Sequence, residues 1–122
     1  MLQADGGTRT ASVTGSYVAL HIALQGLVAS GALPKLPFED AVAAVSCGVI
    51  DGRPVLDLDY AEDSHAAADA NFVLTGRGGI VEIQASAEGA VFVESEFATM
   101  LALARQGIAH LLGVQKKALG LD

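Results

Sequence analysis

The pair Asp51-Gly52 stands between two apolar runs, "AVAAVSCGVI" before it and "RPVLDLDY" after it. Both central residues of a type I′ turn need positive φ, which Asp and Gly tolerate, so the two runs are predicted to be adjacent antiparallel strands. In the second run Leu56, Leu58 and Tyr60 fall on one face, and Val55, Asp57 and Asp59 on the other. "DANFVLT" and "GIVEIQAS" flank "GRGG" and form a second strand pair. Ahead of the strands, Val13, Tyr17, Leu20, Leu24 and Leu27 recur at helical spacing, predicting a helix from about Ser12 to about Ser30 ended by Gly31 and Pro34. Val18, Ile22 and Ala29 add a second apolar side and leave only a thin polar stripe at Thr14, His21 and Gln25, so this helix is expected to be covered on most of its surface. Phe97, Leu101, Ala104, Ile108 and Leu111 predict another helix over residues 94 to 112, with Lys116 and Lys117 at its negative end. The expected fold class is α+β, with helices packed on a mostly antiparallel or mixed sheet.

At 122 residues the chain is read as a single domain over 1 to 122. Its apolar content of 52% and mean hydropathy of +0.46 are high for a soluble domain that also carries a net charge of -7. Some apolar surface is therefore expected to meet another subunit. Seven basic residues are scattered along the chain and form no stripe, so contact with a polyanion must be local. Cys47 has no partner for an intrachain disulfide and reads as a buried thiol of a cytoplasmic protein. The first residues, "MLQADGG", lack the features of a secretory signal. Residues 10 to 34 carry no charge, but Thr14, Ser16, His21, Gln25 and Ser30 make membrane insertion costly, so no membrane partner is expected.

Two segments carry chemistry. "DLDYAEDS", residues 57 to 64, holds Asp57, Asp59, Glu62 and Asp63. Oxygen clusters of this kind suit a hard cation such as Mg²⁺, held by one or two carboxylates with water and phosphate completing the shell. A solvated strand edge of an acidic protein would look the same. "QADGGTRTAS", residues 3 to 12, puts a glycine pair and Arg9 at a helix start. Unpaired amides, the positive dipole end and a forked guanidinium make a phosphate site there, while a hydroxyl N-cap beside a surface cation accounts for the pattern equally well. One phosphate site and one metal site together point to phosphoryl chemistry. His21 and His110 read as packing or surface residues, and His65, beside Asp63 and within reach of the acidic site, is given no catalytic role.

"QADGGTRTASVTG", "AVSCGV", "LDLDYAEDS" and "VEIQASAEGAVF" follow one another in the order and spacing of the C-terminal half of bacterial ribonuclease PH, and the resemblance covers essentially the whole chain. It implies half of a ribonuclease PH-type domain and a phosphate-dependent 3′-to-5′ exoribonuclease. Such an enzyme trims tRNA precursor 3′ ends, using inorganic phosphate as co-substrate and releasing nucleoside diphosphates. By the same resemblance Gly7, Thr8 and Arg9 hold the phosphate, Asp57 and Asp63 are the catalytic carboxylates and Mg²⁺ ligands, and Asp69 is a recurrent acid with a structural alternative. The resemblance also implies RNA as partner and homo-oligomerisation, with a hexameric ring as the family's form. The N-terminal half, with further cations and cover, is missing from this sequence. A non-catalytic or truncated ring subunit is the alternative. The chain departs from the family at His65, Ala67 and Ala70, and at Ala85 and Ser86.

Overall fold

The structure is a computed structural model that describes residues 4–57, 66, 68–87 and 91–121. Helix α1 (Thr8–Ala29) is followed by strands β1 (Val42–Ile50), β2 (Arg53–Leu56), β3 (Ala68–Thr75) and β4 (Ile80–Ala87), and by helix α2 (Glu94–Ala118). The strands form one antiparallel sheet in the order β2-β1-β3-β4. Asp51 and Gly52 both have positive φ, 52° and 75°, as the β1–β2 hairpin demands. The β3–β4 turn is tied down from outside: Asp40 accepts hydrogen bonds from the amides of Ala41 and Arg77, both at 2.8 Å.

Odd-numbered residues of β1 and even-numbered residues of β3 form one sheet face and bury Ala43, Val45, Cys47 and Val49 with Ala68, Ala70, Phe72 and Leu74. Met100, Ala104 and Ile108 of α2 close this core, four and eight residues apart along one side of the helix. Gly107 lets α2 approach closely, since a Cβ there would stand 3.1 Å from Leu56 Cδ2 and 3.3 Å from Val45 Cγ1. The helix runs on past the expected end at residue 112, through Gly113 to Ala118. Buried Gln115 is the reason to continue: its Nε2 donates to Val42 O at 2.9 Å and to Thr14 O at 3.1 Å, joining both helices to β1.

Helix α1 starts at Thr8, earlier than Ser12, because Gly7 adopts a left-handed φ of 77° at the N-cap and its carbonyl takes the amide of Ala11. The hydroxyls that read as caps lie within the first turns and bond back to carbonyls, Thr10 to Gly7 O at 2.9 Å and Ser12 to Thr8 O at 2.8 Å. On the β2 side of Ala44, Thr14 Oγ1 accepts the Ala44 amide at 3.1 Å and donates to its carbonyl at 3.3 Å, so one hydroxyl of α1 satisfies both backbone groups.

The expected burial of α1 is overturned. Only Thr10 and His21 are buried among its residues, and Leu20, Ile22 and Leu27 are exposed. Its inward side includes the polar stripe itself, Thr14 bonding β1 and His21 stacked on Phe38 with ring centroids 5.4 Å apart. Nothing in this chain covers the remaining apolar side, among the described residues. Both helices are long and apolar enough to cross a membrane by length and composition, but α2 spends its apolar face on the sheet.

Candidate functional site

The second sheet face, opposite α2, is polar where α1 begins. Register places Ser46 of β1 opposite Asn71 of β3 and Asn71 opposite Gln84 of β4. Beyond the last paired residue of β2, the Asp57 amide donates to Ser46 O at 2.7 Å. Ser46, Asn71 and Gln84 thus form one row on a common face by strand parity, and Asp57, just past β2, continues it beside Ser46, the two side chains both reaching the Gly7 position.

Gly7 lies over one end of this row. A Cβ on Gly7 would stand 3.5 Å from Ser46 Oγ, 3.5 Å from Thr10 Oγ1 and 3.6 Å from Asp57 Oδ1. The helix start and the first acid of "DLDYAEDS" are therefore neighbours, separated by the space a side chain on Gly7 would occupy. Gly6, Gly7, Thr10 and Asp57 also line a cleft of about 610 Å³ that opens between α1 and α2 and includes His110. Helix α1 has no side-chain cap hydrogen bond and no acidic residue in its first turn, while Asp5, ahead of the helix, takes the Gly6 amide on Oδ1 at 2.7 Å.

Arg9 reaches the other end of the row. Its Nη2 donates to Glu82 Oε1 at 2.7 Å and its Nη1 to Gln84 Oε1 at 3.1 Å, and both members of the ion pair are about half exposed. The guanidinium and Asp57 share a sheet face without touching; three strand spacings separate their ends of the row, about 14 Å between backbones. The Thr8 hydroxyl is turned to Asp5, accepting its amide at 3.1 Å.

Asp57 has a left-handed φ of 62°, a conformation Asp tolerates better than most residues. Its charge reaches the core: Cys47, on the neighbouring strand, has its thiol pushed up to about 12, by burial first and by Asp57 second. The expected residues Asp59, Glu62, Asp63 and His65 lie outside the described residues. Asp69 accepts a hydrogen bond from Ser86 Oγ at 3.0 Å, which pairs the recurrent acid with one of the positions at which this chain departs from the family pattern. Among the described residues, no group of three or more His, Cys, Asp or Glu side chains converges to hold a metal. Asp57 alone supplies a hard oxygen, which suits Mg²⁺ because that ion takes one or two carboxylates and leaves its other positions to water and phosphate.

Sequence reading did not find Ser46, Asn71, Gln84 or Glu82, whose shared face is a product of strand register. The alternation of Asn71 with Phe72, and of Glu82 and Gln84 with Ile83, was the signal available.

Residues 40–107, more than half of the chain, match the family described as "3' exoribonuclease family, domain 2". The sequence is 61% identical over 121 residues to the ribonuclease PH of Rhodospirillum rubrum, covering 98% of this chain and 50% of that protein. It is 59% identical over 118 residues to the ribonuclease PH of Methylocella silvestris, covering 97% and 50%. The chain therefore spans about half the length of the curated relatives it matches. Among solved structures it resembles rice (Oryza sativa) Rrp46 with a TM-score of 0.75 at 18% identity, over 98% of this chain and 51% of that one. That likeness shows the fold.

Proposed function

Because the chain belongs to the 3′ exoribonuclease family, we propose that it is the site-bearing half of a phosphate-dependent 3′-to-5′ exoribonuclease that acts on RNA, tRNA precursor 3′ ends being its substrate class. The observation that carries this reading is the closeness of Gly7, at the start of α1, to the Asp57 carboxylate, which only the Cβ that glycine lacks would touch. A small anion and a reacting phosphodiester need those two features side by side.

In the reaction an oxygen of inorganic phosphate forms a bond to the terminal phosphorus of RNA while the bond from that phosphorus to the preceding 3′ oxygen breaks. The products are a nucleoside diphosphate and an RNA one residue shorter, and the 3′ oxygen takes up a proton. Amides of the first α1 turn and the Arg9 guanidinium orient the attacking phosphate, the latter once it leaves Glu82. Asp57 and Asp63 would hold Mg²⁺, which would supply charge neutralisation at the phosphate oxygens, and as ionised ligands they would orient a water that gives the leaving 3′ oxygen its proton, the proton lost by the attacking phosphate restoring that water.

The exposed Leu20, Ile22 and Leu27 fit burial against the other half of the family's length, which would also bring the cations this acidic chain lacks. Homo-oligomerisation as a ring and a cytoplasmic location complete the reading. The test is to incubate a 3′-tailed RNA with Mg²⁺, phosphate and the chain, alone and together with the remaining half. Phosphate-dependent release of nucleoside diphosphates supports the proposal. Release of monophosphates without phosphate, or no release from the complete assembly, overturns it.

A further inference from the structure

Ser46 Oγ is buried, the residue being 9% exposed, and it has no hydrogen-bond partner among the described residues. A hydroxyl in that state loses its hydration and gains nothing in return, which is tolerated where a partner arrives later. Acceptors stand on three sides: Thr10 Oγ1, which donates to Gly7 O and keeps its lone pairs, Asn71 opposite in register, and the Asp57 carboxylate, the one charged acceptor of the three and so the strongest. Asp57 Oδ1 stands 3.6 Å from the point where a Gly7 Cβ would be, with Ser46 Oγ 3.5 Å from the same point. The bond from Asp57 N to Ser46 O holds the two residues side by side.

We infer that Ser46 is a positioning residue for Asp57, donating its hydroxyl proton to the Asp57 carboxylate when that carboxylate engages a divalent cation in the working site. The inference rests on the reading above that Asp57 is a cation ligand. A donor held under one carboxylate oxygen turns the other toward the ligand, and a ligating carboxylate fixed in this way binds more tightly than one free to rotate. Gly7 belongs to the same device, because a side chain there would fill the space through which Oδ1 swings.

Mn²⁺ titration of the 122-residue chain, followed by calorimetry, tests this, with thermal unfolding in the absence of metal as the second measurement. Ser46→Ala is expected to weaken Mn²⁺ binding roughly five- to tenfold, with the unfolding midpoint unchanged or raised because an unpartnered polar group is gone. Ser46→Thr keeps the hydroxyl and is expected to bind within about twofold of the parent. In an Asp57→Asn background, adding Ser46→Ala should change nothing further. If Ser46→Ala binds as the parent does while Asp57→Asn has lost the ion, the cation site stands and the role of Ser46 falls. A lowered midpoint or failure to fold for Ser46→Ala marks the hydroxyl as structural and also overturns it. A parent chain that binds no Mn²⁺ removes the cation site and this inference together.

Discussion

Glu82→Gln gives the sharpest test of the proposed phosphate site, because it changes only what Arg9 is doing in the ligand-free chain. The guanidinium meets Glu82 at 2.7 Å, with 57% and 45% of the two side chains exposed. An ion pair that open to solvent is worth about 0.2–1 kcal/mol. Phosphate must displace Glu82 to use both guanidinium nitrogens, so this pair is a competitor of the ligand. Removing its charge should tighten phosphate binding by up to about fivefold, the equivalent of about 1 kcal/mol. Arg9→Ala removes a charge-assisted donor worth about 1.5–3 kcal/mol and should weaken binding by about ten- to a hundredfold. Both are read by calorimetric titration of inorganic phosphate at constant ionic strength, since screening alters every exposed pair. Weaker phosphate binding by Glu82→Gln would refute the reasoning: Glu82 would then present Arg9 to the ligand instead of withholding it.

Thr14→Val keeps the shape of the side chain but leaves the Ala44 amide and carbonyl without their partner, and should cost about 2–3 kcal/mol in urea unfolding, whereas Thr14→Ser should stay near the parent. Gly107→Ala forces a Cβ to 3.1 Å from Leu56 and should lower stability by about 1–3 kcal/mol, the usual cost of overpacking, read as a lower thermal midpoint. The Cys47 thiol rises from 9.0 to about 12 in the folded chain, so between those values the folded state holds a proton that the unfolded state has released. Stability should therefore fall as pH climbs from 9 toward 12, and alkylation of Cys47 should require unfolding.

The hairpins were legible because Asp51-Gly52 and "GRGG" demand their turns locally, and α2 because Ala104 and Ile108 repeat on a face that one sheet buries. The α1 boundary was misread for a physical reason: Thr10 and Ser12 look like caps, yet a left-handed Gly7 starts the helix before them and their hydroxyls turn back to carbonyls. The site was half legible. "GGTR" and the acid at 57 are local motifs, but the row joining Asp57 to Gln84 exists only once four strands are in register, and Ser46 inside "AVSCGV" reads as one small residue in a core strand. The apolar periodicity of α1 was read correctly and its burial wrongly, since periodicity tells which side wants cover and says nothing of whether the cover lies in the same chain. Leu20, Ile22 and Leu27 are exposed on an α1 of 22 residues that is seated on the sheet through Thr14 and His21 instead. By that logic the polar inner side of α1 is what sets Gly7 beside Asp57.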